Sequence, residues 1–408
     1  MTEATVPRRG PLAGVRVLDL SRVLAGPLCS MILGDLGAEV IKIEDRDGGD
    51  QTRTIPPFVN GESHYFIAIN RNKKSVALDA RTPEGQALLL KIAARCDVVL
   101  ENFRPGVLDR LGLTEARLKE ANPRLIVCSI SGFGSTGPMR DKPSFDLVTQ
   151  ALSGVMSING YPDGPPTKLG LPLGDIGGGL WAAIGVLAAL AERNATGRAA
   201  RVDLSLLEGL MGLLGYLGEM HFVTGENPGR MGNSHHSIVP YGLVPVKDGH
   251  MVLALHVGSF WRNFCRAIGR EDWITEPRFR TVKDRFRNRA ELEPMIADVM
   301  MTRTVAQWRQ ILHAADVPHG PVNNIGEALE QDVVRARGFI KEMSHPTAGT
   351  LRVVGSPLRY PGSYDEQPLD APPLLGQHTR EVLEALAGLS TAEVEHLIET
   401  GVISVAEP

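Results

Sequence analysis

The chain has 408 residues, 43% of them apolar and 22% charged, with 47 acidic side chains against 43 Lys and Arg and a net charge of −4. That length exceeds what one ordinary core organises and predicts two or three domains. The near-balanced charge exerts no pull toward nucleic acid or a membrane surface, so neither is expected as a partner.

In chain order, Val15-Arg-Val-Leu-Asp-Leu20 alternates as a strand. Ala25-Gly-Pro27 then turns into a helix through Leu36 with Gly37 as its stop, and Ala38 to Glu44 is a second strand. Strand, helix and strand over about 30 residues form a βαβ unit, which implies a parallel sheet. No GxGxxG lies between Gly14 and Gly37, so a dinucleotide fingerprint is missing. After a polar loop (45–61), Ser75 to Asp79 reads as a strand and Thr82-Pro83 opens a helix through Ala94, with Thr82 as cap. Asp97 to Leu100 and Leu125 to Ile130 are short buried strands alternating with helices. The loop Ser131 to Pro138 follows a strand's carboxyl end, where ligands of open α/β sheets bind. A change of character at Thr224 to Asn233 marks a linker into a smaller α+β domain with a hairpin around Lys247-Asp-Gly249. The Pro-rich run Ser356 to Pro373 is a second extended crossing, and Thr379 to Glu399 is an amphipathic helical pair.

Cys29, Cys96, Cys128 and Cys265 are far apart, form no CxxC pair, and suggest neither a disulfide framework nor zinc. The first ten residues lack the apolar core of a signal peptide. The longest apolar run, Ile176 to Ala191, falls short of the ~20 residues that span a bilayer. The expected compartment is the cytoplasm.

The stretch richest in chemistry is Gly170-Leu-Pro-Leu-Gly-Asp-Ile-Gly-Gly-Gly179, running into the apolar helix Leu180 to Leu190. Asp175 stands where a helix N-cap would, and the ordinary capping role accounts for it. Three consecutive glycines after it, Gly177 to Gly179, cost helix propensity, which implies a close approach by another backbone or by a ligand, and free N–H groups beside a presented carboxylate. Elsewhere, His221, His235 and His236 lack metal-ligand spacing, and neither Ser131-Gly nor Ser153-Gly supplies a nucleophile elbow. Lys73, Lys74, Arg81, Arg104 and Arg110 fit a solvated surface or the phosphates of a large anionic ligand.

Several strings coincide with one family: Val15 to Leu20, Ala25-Gly-Pro, Asp35 to Glu44, Asn72 to Asp79, Val99 to Gly106, Asp146 to Gly154 and Gly174-Asp-Ile-Gly-Gly-Gly. The sequence resembles the class III CoA-transferases, the family of formyl-CoA and carnitine CoA-transferases and α-methylacyl-CoA racemases. The resemblance implies a Rossmann-like large domain with a parallel sheet, a smaller α+β domain and an interlocked homodimer. On that basis residues 1–200 are the first part of the large CoA-binding domain, 201–224 a linker helix and 225–330 the small domain. Residues 331–375 form a second linker, and 376–408 are C-terminal helices returning to the large domain. It further implies Asp175 as nucleophile. CoA contacts are implied at Leu24, Ala25, Leu78 to Arg81, Asn102, Phe103, Arg104, Arg110 and the segment Pro143 to Asp146, which includes Phe145. CoA thioester enters as substrate, with no permanently bound cofactor and no metal.

Two departures from the family pattern stand out. Asp45 occupies the place of an arginine in the formyl-CoA transferases, with Arg46 next door as the residue for the adenine end, and no glycine-run loop is visible. Racemases of the family carry His immediately before the Asp matching Asp146; Phe145 stands there and cannot move a proton, which favours transfer over racemisation. A non-catalytic CoA-binding paralogue would not need Asp175. Arg230, Asn233, His235, His236 and Tyr241 suit a second carboxylate, so the expected acceptor is a small dicarboxylic acid and succinyl-CoA a plausible donor.

Overall fold

A computed structural model describes residues 10–361 and 369–406. The sequence readings of residues 1–9 and of part of the Pro-rich crossing therefore lie outside the described residues. The chain divides into two compact units, one of Met1–Val155, Lys168–Gly215 and Val334–Pro408, the other of Met156–Thr167 and Tyr216–Val333.

The first unit is built on a seven-stranded sheet. Its strands are β1 (Arg16–Asp19), β2 (Glu39–Glu44), β3 (Lys73–Leu78), β4 (Val98–Glu101), β5 (Ile126–Ser131), β6 (Arg201–Ser205) and β7 (Ile403–Ser404). Spatial order is β7-β3-β2-β1-β4-β5-β6. All neighbours run parallel except β7, which pairs antiparallel with β3 through Ile403 and Leu78. The expected α/β architecture with a parallel sheet is present. Val17, Leu18, Val98, Val99 and Leu100 are fully buried, as strands covered on both faces must be.

Successive residues of a strand point to opposite faces, which separates two cores. Helices α1 (Ala25–Asp35), α2 (His64–Ile69), α3 (Asp146–Leu152), α4 (Leu173–Thr196) and α5 (Leu206–Gly212) belong to this unit. Ala182, Ala183, Val186 and Leu190 of α4 pack with Cys29 and Leu33 of α1 on Ile126, Cys128 and Ile130 of β5. On the other face Leu88 and Ile92 of the helix Pro83–Ala93, Leu118 of Glu115–Ala121, and Val382 and Leu383 of Thr379–Ala387 cover Leu18, Ile41 and Val99. By length and composition α4 could cross a membrane, but its sheet side is core.

Segment 201–224, read as a linker helix, begins with β6, a strand of this sheet, and continues as α5 and the helix Tyr216–Thr224. Val202 and Leu204 alternate toward the core, which a helical reading of so short a run overlooks.

The second unit carries a three-stranded antiparallel sheet of His319–Pro321, Gly249–Ala254 and Tyr241–Val246, the hairpin expected around Lys247-Asp-Gly249 turning at Lys247 and Asp248 between the paired Val246 and Gly249. Trp261, Trp273, Trp308, Phe264 and Phe279 fill its core. Arg285, fully buried, donates Nε to Val239 O at 2.8 Å and lies over the Trp261 ring.

Candidate active site

Parallel strands deliver every following loop to one edge of the sheet. Leu24 and Ala25 follow β1, Arg46 follows β2, Arg81 follows β3, Asn102, Phe103 and Arg104 follow β4, and Phe145 and Asp146 end the loop after β5. The helix α4 starts at this edge and leads back to β6, so Asp175 in its first turn belongs here too.

A buried ionic lattice shapes the edge. Asp19, at the end of β1, accepts from Ser21 N at 2.9 Å, from the Ser21 hydroxyl and from Ser30 Oγ at 2.5 Å. Lys73 Nζ lies 3.2 Å from Asp19 and donates to Pro27 O and Asn70 Oδ1. Lys42 Nζ reaches Ser21 O at 2.8 Å and Asp50 at 2.9 Å. Burial pushes the Asp19 carboxyl up, but Lys73, Lys42 and the two serine hydroxyls outweigh it and hold the group below its usual range. Burial, only partly offset by Asp19, lowers Lys73 to about 8. Lys73 thus has no role on the surface, and its neighbour Lys74 bridges Glu39 and Glu381.

These anchors hold the loop 21–24, in which Val23 takes φ 66°, a costly left-handed value for a β-branched residue. Asn102 secures the loop from β4: Oδ1 accepts from Arg22 N at 2.8 Å and Nδ2 donates to Arg22 O at 2.7 Å. Arg22 lies over the Phe103 ring at 5.6 Å. Helix α1 then opens at Ala25 with no side-chain cap, leaving its first-turn amides without a side-chain acceptor, an arrangement suited to an anion.

Other residues implied as contacts differ in availability. Leu78 is buried and paired in the sheet, so only backbone near it can face a ligand. Arg46 is tied to Asp47 and to the carbonyl of Gly401, and Arg81 to Asp79 at 2.7 Å. Arg104 and Arg110 are exposed and carry no ion pair among the described residues. A cleft of about 440 Å³ borders Arg104, Phe103, Leu108 and Arg140. It lies on the face of the sheet opposite α4, against Val127 and Ser129, and Asp175 does not line it.

Asp175 is the third residue of α4, not its cap; Pro172 precedes the first turn. Burial first, and the charge of Asp146 second, push its carboxyl up to about 6. At pH 7 it is still about nine-tenths ionised. Asp146 begins α3 and turns its own carboxylate onto α4: Oδ1 accepts from Gly174 N at 2.7 Å and faces Asp175 N at 3.4 Å. The amides of Leu173 and Ile176 are taken by Leu171 O and Pro172 O.

The glycine run does not leave open N–H groups for an oxyanion. Gly177 to Gly179 lie inside α4, where amides beyond the first turn have helical acceptors. Their role is packing. A Cβ at Gly179 would stand 2.7 Å from Ala25 O, and one at Gly178 2.2 Å from Leu206 Cδ2. Close approach by another backbone, one of the two possibilities open in the sequence, is what the glycine at 179 serves. It brings the uncapped start of α1 alongside α4 one turn after Asp175.

Sequence reasoning missed Tyr65, in α2. Burial, then the charges of Asp175, Asp50 and Asp146, raise its phenol. It also missed Gln150, whose side chain joins Asp146 to the strand of chain before α4. No sequence signal singles out either residue. In the second unit, Arg230 spends its guanidinium on the carbonyls of Tyr161, Pro162 and Gly164, Asn233 on the Tyr161 hydroxyl and His236 on Gly229 O. Those three hold the segment 156–167 and the turn before the hairpin. His235 remains between Tyr216 and Tyr241, its imidazole lowered by burial and then by His236, His256 and Arg289.

Residues 12–379 match the model of CoA-transferase family III. The chain is 38% identical to the succinyl-CoA:glutarate CoA-transferase of Mus musculus, over 97% of this chain and 91% of that one. It is 37% identical to the acetyl-CoA:oxalate CoA-transferase of Acetobacter aceti, over 90% and 93% respectively. Among solved structures, a CaiB/BaiF family protein from Brucella suis aligns with a TM-score of 0.82 at 34% identity, covering 93% of this chain and all of that one.

Proposed function

The chain belongs to the class III CoA-transferase family, and from that premise we propose that it moves CoA from an acyl-CoA donor to a small dicarboxylic acid, with Asp175 as nucleophile. The observation that carries the assignment of Asp175 is its setting. It is a half-buried carboxylate in the first turn of α4, at the ligand edge of the sheet, with its proton affinity raised yet ionised at neutral pH.

In the proposed sequence an Asp175 oxygen attacks the donor thioester carbonyl, the C–S bond breaks, and an acyl-aspartyl anhydride and CoA thiolate form. The thiolate attacks the aspartyl carbonyl, releasing the donor acid as carboxylate and leaving an aspartyl-CoA thioester. The acceptor carboxylate attacks that thioester, expelling thiolate and forming a second anhydride. Attack of the thiolate on the acceptor's carbonyl yields the new acyl-CoA and regenerates Asp175. Each step exchanges one leaving group for another, and no proton needs to move, which suits a site without a histidine at position 145. The uncapped first turn of α1, packed against Gly178 and Gly179, offers amides for each oxyanion. CoA itself is placed along the edge formed by Leu24, Ala25, Asn102, Phe103, Arg104 and Arg110.

Succinyl-CoA as donor and a dicarboxylic acceptor follow from the relatives' names, which specify succinyl-CoA with glutarate and acetyl-CoA with oxalate. A cytoplasmic homodimer, interlocked as in the family, belongs to the same reading. Exposed apolar side chains support it: Leu180 and Ile184 on α4, and Phe222 and Val223 on the helix Tyr216–Thr224, which has no buried residue. The test is a mass-spectrometric screen of succinyl-CoA against free acids in deuterated water, with Asp175→Ala as control. A new dicarboxylyl-CoA that requires Asp175 supports transfer. Deuterium at the α-carbon of an added 2-methylacyl-CoA, without CoA exchange, would make the protein a racemase.

A further inference from the structure

Helix α4 begins at Leu173, and Pro172 before it supplies no side-chain cap. Its cap comes from α3, 28 residues earlier, where Asp146 Oδ1 receives Gly174 N at 2.7 Å. The other oxygen of Asp146 accepts from Gln150 Nε2 at 2.6 Å, one turn along the same helix face. Gln150 is 1% exposed and fully committed: Oε1 accepts from Leu169 N at 2.9 Å, and Nε2 also points to Leu171 O at 3.4 Å. One side chain therefore fixes both the capping carboxylate and the segment that enters α4. The approach is close enough to demand glycine, since a Cβ on Gly174 would stand 2.8 Å from Thr149 Oγ1 and 2.9 Å from Asp146 Oδ1.

We propose that Asp146 and Gln150 are positioning residues for Asp175: Asp146 anchors the first-turn amides of α4 and sets a fixed negative charge against the reacting carboxylate, and Gln150 holds that charge in place. This rests on Asp175 being the group that reacts. A neutral acceptor such as Asn or Ser would satisfy the same amide without a charge. What the charge adds is a penalty on a second carboxylate beside it. A carboxylate of higher proton affinity is the stronger nucleophile toward a thioester carbonyl, provided that it stays ionised. The pressure toward protonation recorded at Asp175, burial first and Asp146 second, agrees with this geometry.

Charged and titratable groups on the elements packed against α4 are few. They are Asp146 on α3, Glu208 on α5, Arg201 and Asp203 on β6, Cys128 on β5, Cys29 and, at the far end, Asp35 on α1, with His64 and Tyr65 on the neighbouring α2. Asp203 is engaged by Ser135 and Asp35 by Arg71, and among the described residues only Asp146 adds a charge effect at Asp175.

The test measures the rate of single-turnover succinyl-CoA consumption against pH for Asp146→Asn, Asp146→Glu and Gln150→Leu. Asn keeps the acceptor for Gly174 and removes the charge, so the acidic limb of the profile moves down by roughly half a unit or more. Glu restores the limb toward its original position. Gln150→Leu leaves the charge but frees it, so the limb stays within about 0.3 unit while the plateau rate falls about tenfold. An Asp146→Asn protein that folds and keeps the wild-type limb overturns the proposal. If that variant does not fold, a Gln150→Leu protein with an unchanged plateau overturns it equally. Asp175→Ala is run alongside: if it still consumes succinyl-CoA to make a new acyl-CoA, the nucleophile assignment fails, whatever the other profiles show.

Discussion

Replacing Asp175 by Asn should make the protein more stable, and the pH dependence of the gain is specific to this carboxylate. Its proton affinity in the fold lies at about 6 against a reference of 3.8, raised by burial and then by Asp146. The folded state therefore disfavours the ionised form. For a carboxyl raised in this way the cost is absent below the unfolded value, grows as pH rises through the interval, and is complete above about 6. From these two values the cost is near zero at pH 3, about 1.6 kcal/mol at pH 5 and about 3 kcal/mol at pH 8. Asn has nearly the same volume and carries no charge, so Asp175→Asn recovers most of that sum. The assay is urea denaturation of both proteins at pH 5 and pH 8, comparing the shift in midpoint at constant slope. A gain that increases by about 1.4 kcal/mol between those pH values is expected. A difference that is flat with pH, or a wild-type protein that is the more stable at pH 8, would refute the reasoning.

The glycine run yields a paired prediction: Gly179→Ala, facing the Ala25 carbonyl at 2.7 Å, should destabilise by about 1–3 kcal/mol in thermal melts. Gly178→Ala meets only the end of Leu206, and the helix propensity gained, roughly 1 kcal/mol, should leave it near neutral. Lys73→Met strands the buried Asp19 carboxylate and should cost about 3–5 kcal/mol by denaturant titration. Asn102→Ala removes both bonds that hold Arg22 and should raise KM for acyl-CoA about tenfold with little change in melting, as read by steady-state kinetics.

Much of the large unit could be read from local pattern. The βαβ opening, the Thr82 cap with Pro83 behind it, and the short apolar strands at 98–101 and 126–131 each carry their signal within a few residues. β7 did not, because it is two residues long and exists only by pairing with β3, more than 300 positions earlier. The segment 156–167 reads as a continuation of the large unit, yet it belongs to the second, tied by Arg230 through contacts no periodicity records. At the candidate site, Asp175 was visible by its glycines and Asn102 to Arg104 by their place after a strand, while the other edge residues were implied only by the family resemblance. The register that buries Lys73 while leaving Arg104 exposed was not visible, since Lys73 stands beside Lys74 in a polar run and reads as no more buried than Arg104. Nor was the cap of Asp146 on α4. A hydrogen bond across 28 residues and two helices is a property of packing, which no local sequence pattern records.

The central claim is that CoA is carried on Asp175 between donor and acceptor. Its most direct test is peptide mass spectrometry of the protein mixed with succinyl-CoA alone, quenched with acid, and again after adding glutarate. A CoA thioester on the peptide containing Asp175, lost on addition of glutarate as glutaryl-CoA appears, is the predicted result. Glutaryl-CoA formed at full rate with that peptide never modified, and formed equally by Asp175→Ala, would contradict it.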